Sequence, residues 1–182
     1  MTDGVTVLKF SGAVTREPGT LRRAIRGVQS LGRERRLLIV PGGGEFADAV
    51  RIAWRRGELG DSAAHWMAIL AMDQMAHLLA DRLEAVLVTD PVEGTSKATV
   101  AGIAILAPFA WLHGVDALPH SWDVTSDSVA ALVAAQIGAT ELLLLKMVEG
   151  PLEELVDANF QRVIPPGMPI RILTPEALAP VD

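Results

Sequence analysis

Leu142-Leu143-Leu144-Leu145-Lys146 is the stretch on which the reading of the fold turns. Four consecutive leucines cannot alternate between a wet and a dry face. A strand made of them is buried on both faces, which is the pattern of a parallel sheet covered by helices on either side. Working outward, Val5 to Phe10, Leu37 to Val40, Ala85 to Val88, Ile103 to Leu106 and Ile170 to Leu173 read as further short buried strands. Between them lie helical patterns. Leu21, Ile25, Val28 and Leu31 recur at helical spacing, with Pro18-Gly19 before them and Gly32 after. Glu45 to Arg56 reads as a second helix, and Asp61 or Ser62 caps a long third one reaching about Leu83. Ser126 to Ile137, rich in Ala, Val and Leu, is a fourth. Thr89 to Thr99, polar and containing Pro91 and Gly94, reads as a loop or hairpin, and Ala107 to Trp122 as irregular chain. The alternation predicts an α/β fold, a three-layer αβα sandwich with a mainly parallel sheet. No repeat, linker or low-complexity segment divides the chain, so one domain over 1–182 is expected.

The bulk composition agrees. Of 182 residues half are apolar and 21% charged, which permits a large core and carries no signature of disorder. Cysteine is absent, which excludes disulfides, thiolate metal sites and thiol catalysis. The net charge of -6 argues against a nucleic-acid partner. The early arginines, Arg22, Arg23, Arg26, Arg33, Arg35 and Arg36, read as a solvated helix face and its exit loop. His65, Asp73, Gln74 and His77 interrupt the apolar stretch from Ala63 to Leu79, which is too polar for a membrane span. The first residues show no signal peptide, so a cytoplasmic location is expected. The apolar character of that stretch on more than one face predicts burial in a core or a subunit interface, hence a homo-oligomer.

In parallel sheets ligands gather at the carboxyl ends of the strands. That rule selects Lys9 to Ala13, Gly42 to Glu45, Thr89 and Asp90, and Lys146 to Gly150. Lys9 leaves a buried strand, so its ammonium either reaches solvent or meets an anion such as a phosphate. Gly42-Gly43-Gly44 joins a strand to a helix. It is either a tight turn or a loop whose amides approach a phosphate or carboxylate at a helix N-terminus. The spacing fits neither a Walker A loop nor a dinucleotide fingerprint. Thr125-Ser126-Asp127 opens a helix, where a cap and a favourable dipole account for the residues as well as a role around a transferring phosphoryl does. Lys146 ends the leucine strand. Two lysines ending two strands of one sheet can converge on one phosphate chain, and phosphoryl transfer needs mainly positioning and cations. Trp66, Leu70, Asp73 and His77 share one stripe of the long helix, so Asp73 is in reach of His77 as a base, a substrate hook or a plain polar pair. His113 and His120 lack partners at metal-ligand spacing, and no metal site is expected from protein side chains.

These motifs taken in order resemble a known family. Val7-Leu8-Lys9-Phe10-Ser11-Gly12-Ala13 is similar to the opening K-x-G-G-S of the amino acid kinase superfamily, whose fold is carbamate kinase-like. Val40-Pro41-Gly42-Gly43-Gly44 resembles its second glycine loop. Thr125-Ser126-Asp127, the alanine-rich helix and Leu142 to Gly150 resemble its N-x-D-x-x-A-A…LLLL-x-x-V-D-G block. Pro41 to Asp48, Ala64 to Gln74, Leu118 to Asp127 and Lys146 to Gly150 look like one subgroup, the [5-(aminomethyl)furan-3-yl]methyl phosphate kinases of methanofuran and methylofuran biosynthesis. The resemblance implies ATP-dependent phosphorylation of an aminomethylfuran methyl phosphate, with ATP and Mg2+ as cofactors. It implies that Lys9, Asp127 and Lys146 are catalytic, and that Lys9, Ser11, Gly12, Lys146, Glu149 and Gly150 hold the nucleotide's phosphates. Gly42, Gly43, Gly44, His65, Trp66, Asp73, His120, Trp122, Thr125 and Ser126 would contact the acceptor.

The sequence also departs from the family pattern. Ser11 stands at its first glycine, Ala13 replaces its serine and Glu149 replaces its aspartate. Gly167-Met168 is followed by Pro169, so the glycine-methionine-x-x-lysine motif of the acetylglutamate kinase branch is missing. The nucleotide-binding part, about 126–182, is short. A non-catalytic homologue that binds a ligand or a partner subunit is therefore the alternative expectation.

Overall fold

The computed structural model describes residues 4–178. Six strands form one sheet: β1 Val5–Phe10, β2 Arg36–Pro41, β3 Val86–Val88, β4 Ile103–Leu106, β5 Glu141–Leu145 and β6 Ile170–Leu173. Their order is β3-β4-β2-β1-β5-β6, and every neighbouring pair is parallel. The expected three-layer sandwich is thus present, and the sheet is parallel throughout. The helices are α1 Pro18–Glu34, α2 Gly44–Arg55, α3 Asp61–Leu83, α4 Pro91–Ala101, α5 Phe109–Val115, α6 Ser126–Ile137, α7 Leu152–Leu155, α8 Phe160–Val163 and α9 Pro175–Leu178.

Strand alternation sorts the core into two halves. Leu8, Phe10, Leu37, Ile39, Leu143 and Leu145 pack beneath α1 and the second half of α3. Val7, Leu38, Val40, Leu142 and Leu144 pack beneath α4, α6 and α8. Leu142 to Leu145 are all buried, and each contributes about 2 kcal/mol of apolar transfer. Connections that build the sheet toward β3 cross one face and those that build it toward β6 cross the other, as a uniform crossover hand requires. The order in which strands are added to the sheet reverses between β1 and β5. At such a switch point the two following loops diverge and leave a crevice.

Two stretches differ from expectation. Residues 91–101 form α4 rather than a loop. Asp90 caps it by accepting from the backbone N–H groups of Val92 and Glu93, with Pro91 in the first turn. Gly94 is a packing residue there: a Cβ on it would lie 2.6 Å from Leu38 Cδ1. Residues 109–115 form α5, whose Phe109 N–H donates to the Asp73 carboxylate from α3. Among the described residues, no helix is long and apolar enough to cross a membrane. The tail beyond Leu178 lies outside the described residues. Among the early arginines, Arg23 pairs with Glu176 and Arg35 with Glu141.

Candidate active site

Parity decides where the two lysines point. Lys9 follows Val5 and Val7, and Lys146 follows Leu142 and Leu144, so both leave the sheet on the α6 side. There they meet the first turn of α6. Lys9 Nζ lies 3.0 Å from Asp127 Oδ1, and Lys146 Nζ donates to Asp127 Oδ2 at 2.7 Å. Lys146 also donates to the Leu155 carbonyl at 2.6 Å. All three side chains are buried, Lys9 and Asp127 at 5% exposure and Lys146 at 9%.

The formal charge of this group is +1, and burial makes an excess charge costly. Burial pushes the Lys9 ammonium below its ordinary range; Asp127 pulls it back up, and Lys146 presses it further down. Burial favours a protonated Asp127, but the two lysines outweigh it and hold the carboxyl below its usual range. The arrangement is a preorganised cationic hole lacking one negative charge. Chemically, such a group can accept one further anion.

The glycines lie directly beside it. Gly12, just past β1, and Gly44, just past β2, are in backbone contact: a Cβ on Gly12 would sit 2.3 Å from the Gly44 nitrogen. Gly44 itself has φ 54°, a conformation that glycine takes without strain. Gly42 N–H donates to the Phe10 carbonyl at 2.8 Å, and a Cβ on Gly42 would meet Ser126 Oγ at 3.1 Å. The turns after β1 and β2 therefore meet backbone to backbone, with Ser126 beside them, and α2 begins at the same point. Ser11, whose Oγ accepts from the Ala13 N–H at 3.4 Å, is turned into a local cap.

Next to the glycines is a cleft of about 220 Å³. Lys9, Ser11, Gly12 and Gly42 to Gly44 form one end. Ile69, Met72, Val124 and Val129 contribute apolar walls, and His65, Trp122, Thr125 and Ser126 also line it. His65 is held as a neutral ring, its pKa lowered to about 4 by burial and then by the field of His120, with Asp116 opposing. His120 stacks on His65 with ring centroids 4.4 Å apart, and it bridges Ser62 at 2.6 Å and Asp116 at 2.9 Å.

The structure therefore brings together Lys9, Ser11, Gly12, Gly42, Gly43, Gly44, His65, Trp122, Thr125 and Ser126 around one cleft, with Asp127 and Lys146 beneath it. It does not bring Trp66, Asp73, His120, Glu149 or Gly150 to the cleft wall. Trp66 belongs to an aromatic cluster with Phe109 and His113, Asp73 caps α5 and is not hydrogen-bonded to His77, and Glu149 and Gly150 are exposed beyond β5. Sequence reasoning missed Asp157. Its carboxylate accepts from the Thr125 N–H and hydroxyl, the Ser128 N–H and hydroxyl, and the Asn159 N–H, at 2.5–3.1 Å. A residue from the C-terminal part thus fixes the helix start that carries Asp127. Arg16, Asp48 and Arg51 at the cleft mouth were missed too, and only the helical spacing of Asp48 and Arg51 on α2 hinted at them.

Residues 4–153 match the amino acid kinase family. The chain belongs to that family. Among curated proteins it is similar to the [5-(aminomethyl)furan-3-yl]methyl phosphate kinase of Methanocaldococcus jannaschii, at 25% identity over 158 residues, covering 87% of this chain and 73% of the relative. Among solved structures it resembles the uridylate kinase of Archaeoglobus fulgidus (TM-score 0.62, 19% identity, 80% of this chain and 64% of the other). It also resembles the UMP kinase of Ureaplasma parvum (TM-score 0.64, 18% identity, 80% and 67%). The chain thus spans about two thirds of these amino acid kinase structures, and the likeness establishes the shared fold.

Proposed function

We propose that this protein is an ATP-dependent kinase that phosphorylates a small phosphorylated acceptor, an aminomethylfuran methyl phosphate, to the diphosphate. The observation that carries the reading is the convergence of Lys9 and Lys146 on Asp127 at the switch point, against the Gly12–Gly44 contact. In this reading an oxygen of the acceptor's phosphate forms the new bond to the γ-phosphorus of ATP as the bond to ADP breaks. Lys9 and Lys146 neutralise the charge that spreads over the transferred group, and Asp127 holds both ammonium groups in register. The glycine backbones admit the phosphates at close range.

A polyphosphate fits the buried formal charge of +1 and the cradle that any Cβ would fill. Among the described residues no cluster of three or more His, Asp or Glu could hold a metal ion. Mg2+ would accordingly be held mainly by the nucleotide, where it neutralises phosphate oxygens. In this reading residues 126–182 are the nucleotide side of a single domain, and Glu149 and Gly150, exposed beyond β5, would meet the nucleotide outside the cleft. The reading includes a cytoplasmic location and a homo-oligomer, the latter supported by the exposure of Met67 and Leu70 on α3.

The test is ADP formation from ATP and Mg2+ with aminomethylfuran methyl phosphate as acceptor. Lys9→Ala is expected to lower kcat about 100-fold or more. Undiminished turnover in that variant would remove the lysine pair from the mechanism.

A further inference from the structure

Three cationic side chains line the cleft: Lys9, Arg16 and Arg51. Lys9 is committed to Asp127 at the buried end. The two arginines approach the mouth from different elements, Arg16 from the 3-10 turn after β1 and Arg51 from α2. Both end on one carboxylate. Arg16 pairs with Asp48 Oδ2, and Arg51 donates to Asp48 Oδ1 at 2.8 Å. Asp48 sits one helical turn beyond Gly44, so this cluster adjoins the glycine loop. The Arg51 guanidinium also lies 4.7 Å from the centroid of the Trp122 ring.

We propose that Arg16 and Arg51 form the subsite that binds the acceptor's own phosphate, with Asp48 as the anion that occupies their donors until the acceptor arrives. Each guanidinium carries five N–H donors in a planar fork suited to phosphate, and a single shared carboxylate leaves donors over on both. Flexible arginines lose entropy when they bind. Here the Trp122 face holds Arg51 beforehand, which lowers that cost. The formal charge of the cluster is +1, so a phosphate is attracted even with Asp48 in place. The alternative is a surface ion cluster that ties the 3-10 turn to α2 and binds nothing. The identity of the acceptor rests on the kinase reading; the anion subsite itself does not.

The test titrates inorganic phosphate alone into the nucleotide-free full chain by calorimetry at low salt. Wild type is expected to bind. The double variant Arg16→Gln/Arg51→Gln should bind at least tenfold more weakly, with its thermal unfolding unchanged because both side chains are partly exposed. Asp48→Asn should bind several-fold more tightly, because the formal charge of the cluster rises by one; an ion cluster with only a structural role predicts no gain. The same arginine dependence should persist in Lys9→Ala, which separates this subsite from the buried lysines. Absence of phosphate binding in wild type, equal binding in the double variant, or weaker binding in Asp48→Asn would each overturn the proposal. ATP turnover is measured separately. Arginine-dependent phosphate binding without turnover would sink the kinase reading and leave the subsite standing, and turnover without that dependence would do the reverse.

Discussion

Asp127 and Asp48 are carboxylates at different depths that each hold two cations. Asp127 holds Lys9 and Lys146, and Asp48 holds Arg16 and Arg51. The stoichiometry and the formal charge of +1 are the same, but the depth is not. The side chains of the inner group are 6–11% exposed and those of the outer group 33–55%. In the interior an unbalanced charge is poorly screened, and burial and the neighbouring charges shift the titration of Lys9 and Asp127. At the mouth, water and salt screen the same arrangement, and its value lies in geometry. The residue types follow. Lysine, whose pKa yields to burial, is inside, and arginine, which stays charged and offers a planar fork, is outside.

Breaking the inner group should have the largest effect. Asp127→Asn leaves two buried ammonium groups facing each other without a counter-charge. Stability should fall by about 3–5 kcal/mol, read as a shift in urea midpoint at constant m-value. A loss below about 1 kcal/mol would mean that water reaches the lysines, and the contrast between the two groups would vanish.

Much of the inner group was legible in the sequence, and little of the outer. A lysine at the end of a buried strand is conspicuous because the strand's own pattern forbids it. Strand parity then sends Lys9 and Lys146 to the same face as the helix that starts with Asp127. The strands Val5–Phe10 and Ile170–Leu173 and the helix Ser126–Ile137 were readable for the same reason, since local pattern and burial agree. The helix α4 was hidden because Gly94 reads as a breaker, although its smallness serves contact with Leu38 across the sheet. Its start was signalled by Asp90-Pro91 with Glu93 three residues after Asp90. Contacts between remote segments were not legible at all. Asp73 lies four residues from His77 along the helix, yet its carboxylate accepts from Phe109, 36 residues away, and Asp157 reaches back 32 residues to Thr125. Arg16 and Asp48 are likewise joined only by the fold.

His65 is an intermediate case that sharpens the comparison, a cleft-lining group that is buried but uncharged. In the unfolded chain the ring takes a proton near 6.5, and in the folded chain only near 4. Between these values the unfolded state binds more protons, so stability falls as pH drops from about 6.5 to about 4 and changes no further below that on this account. The ring lines the cleft, where solvent screens part of the penalty and limits the effect to about 1–2 kcal/mol. Urea midpoints at pH 7.5 and 4.5, compared between wild type and His65→Gln, isolate it from the carboxylates that titrate in the same range. Equal pH slopes in the two proteins would show that the ring is open to water, as the mouth is.

The smallest effect on stability belongs to the outer group. Asp48→Asn removes the carboxylate from both arginines, but those guanidiniums regain water on release. Exposed pairs of this kind are worth about 0–1 kcal/mol, and the loss should shrink further in about 1 M salt, where the screening length falls to about 3 Å. Asp127→Asn should keep most of its loss at the same salt, because its partners are out of reach of ions. A salt-resistant loss of several kcal/mol in Asp48→Asn would make the outer group a structural clamp like the inner one. Depth would then no longer separate the two. The expected outcome instead joins a negligible change in folding to a marked change in anion binding, and that combination distinguishes side chains kept for a ligand from side chains kept for the fold.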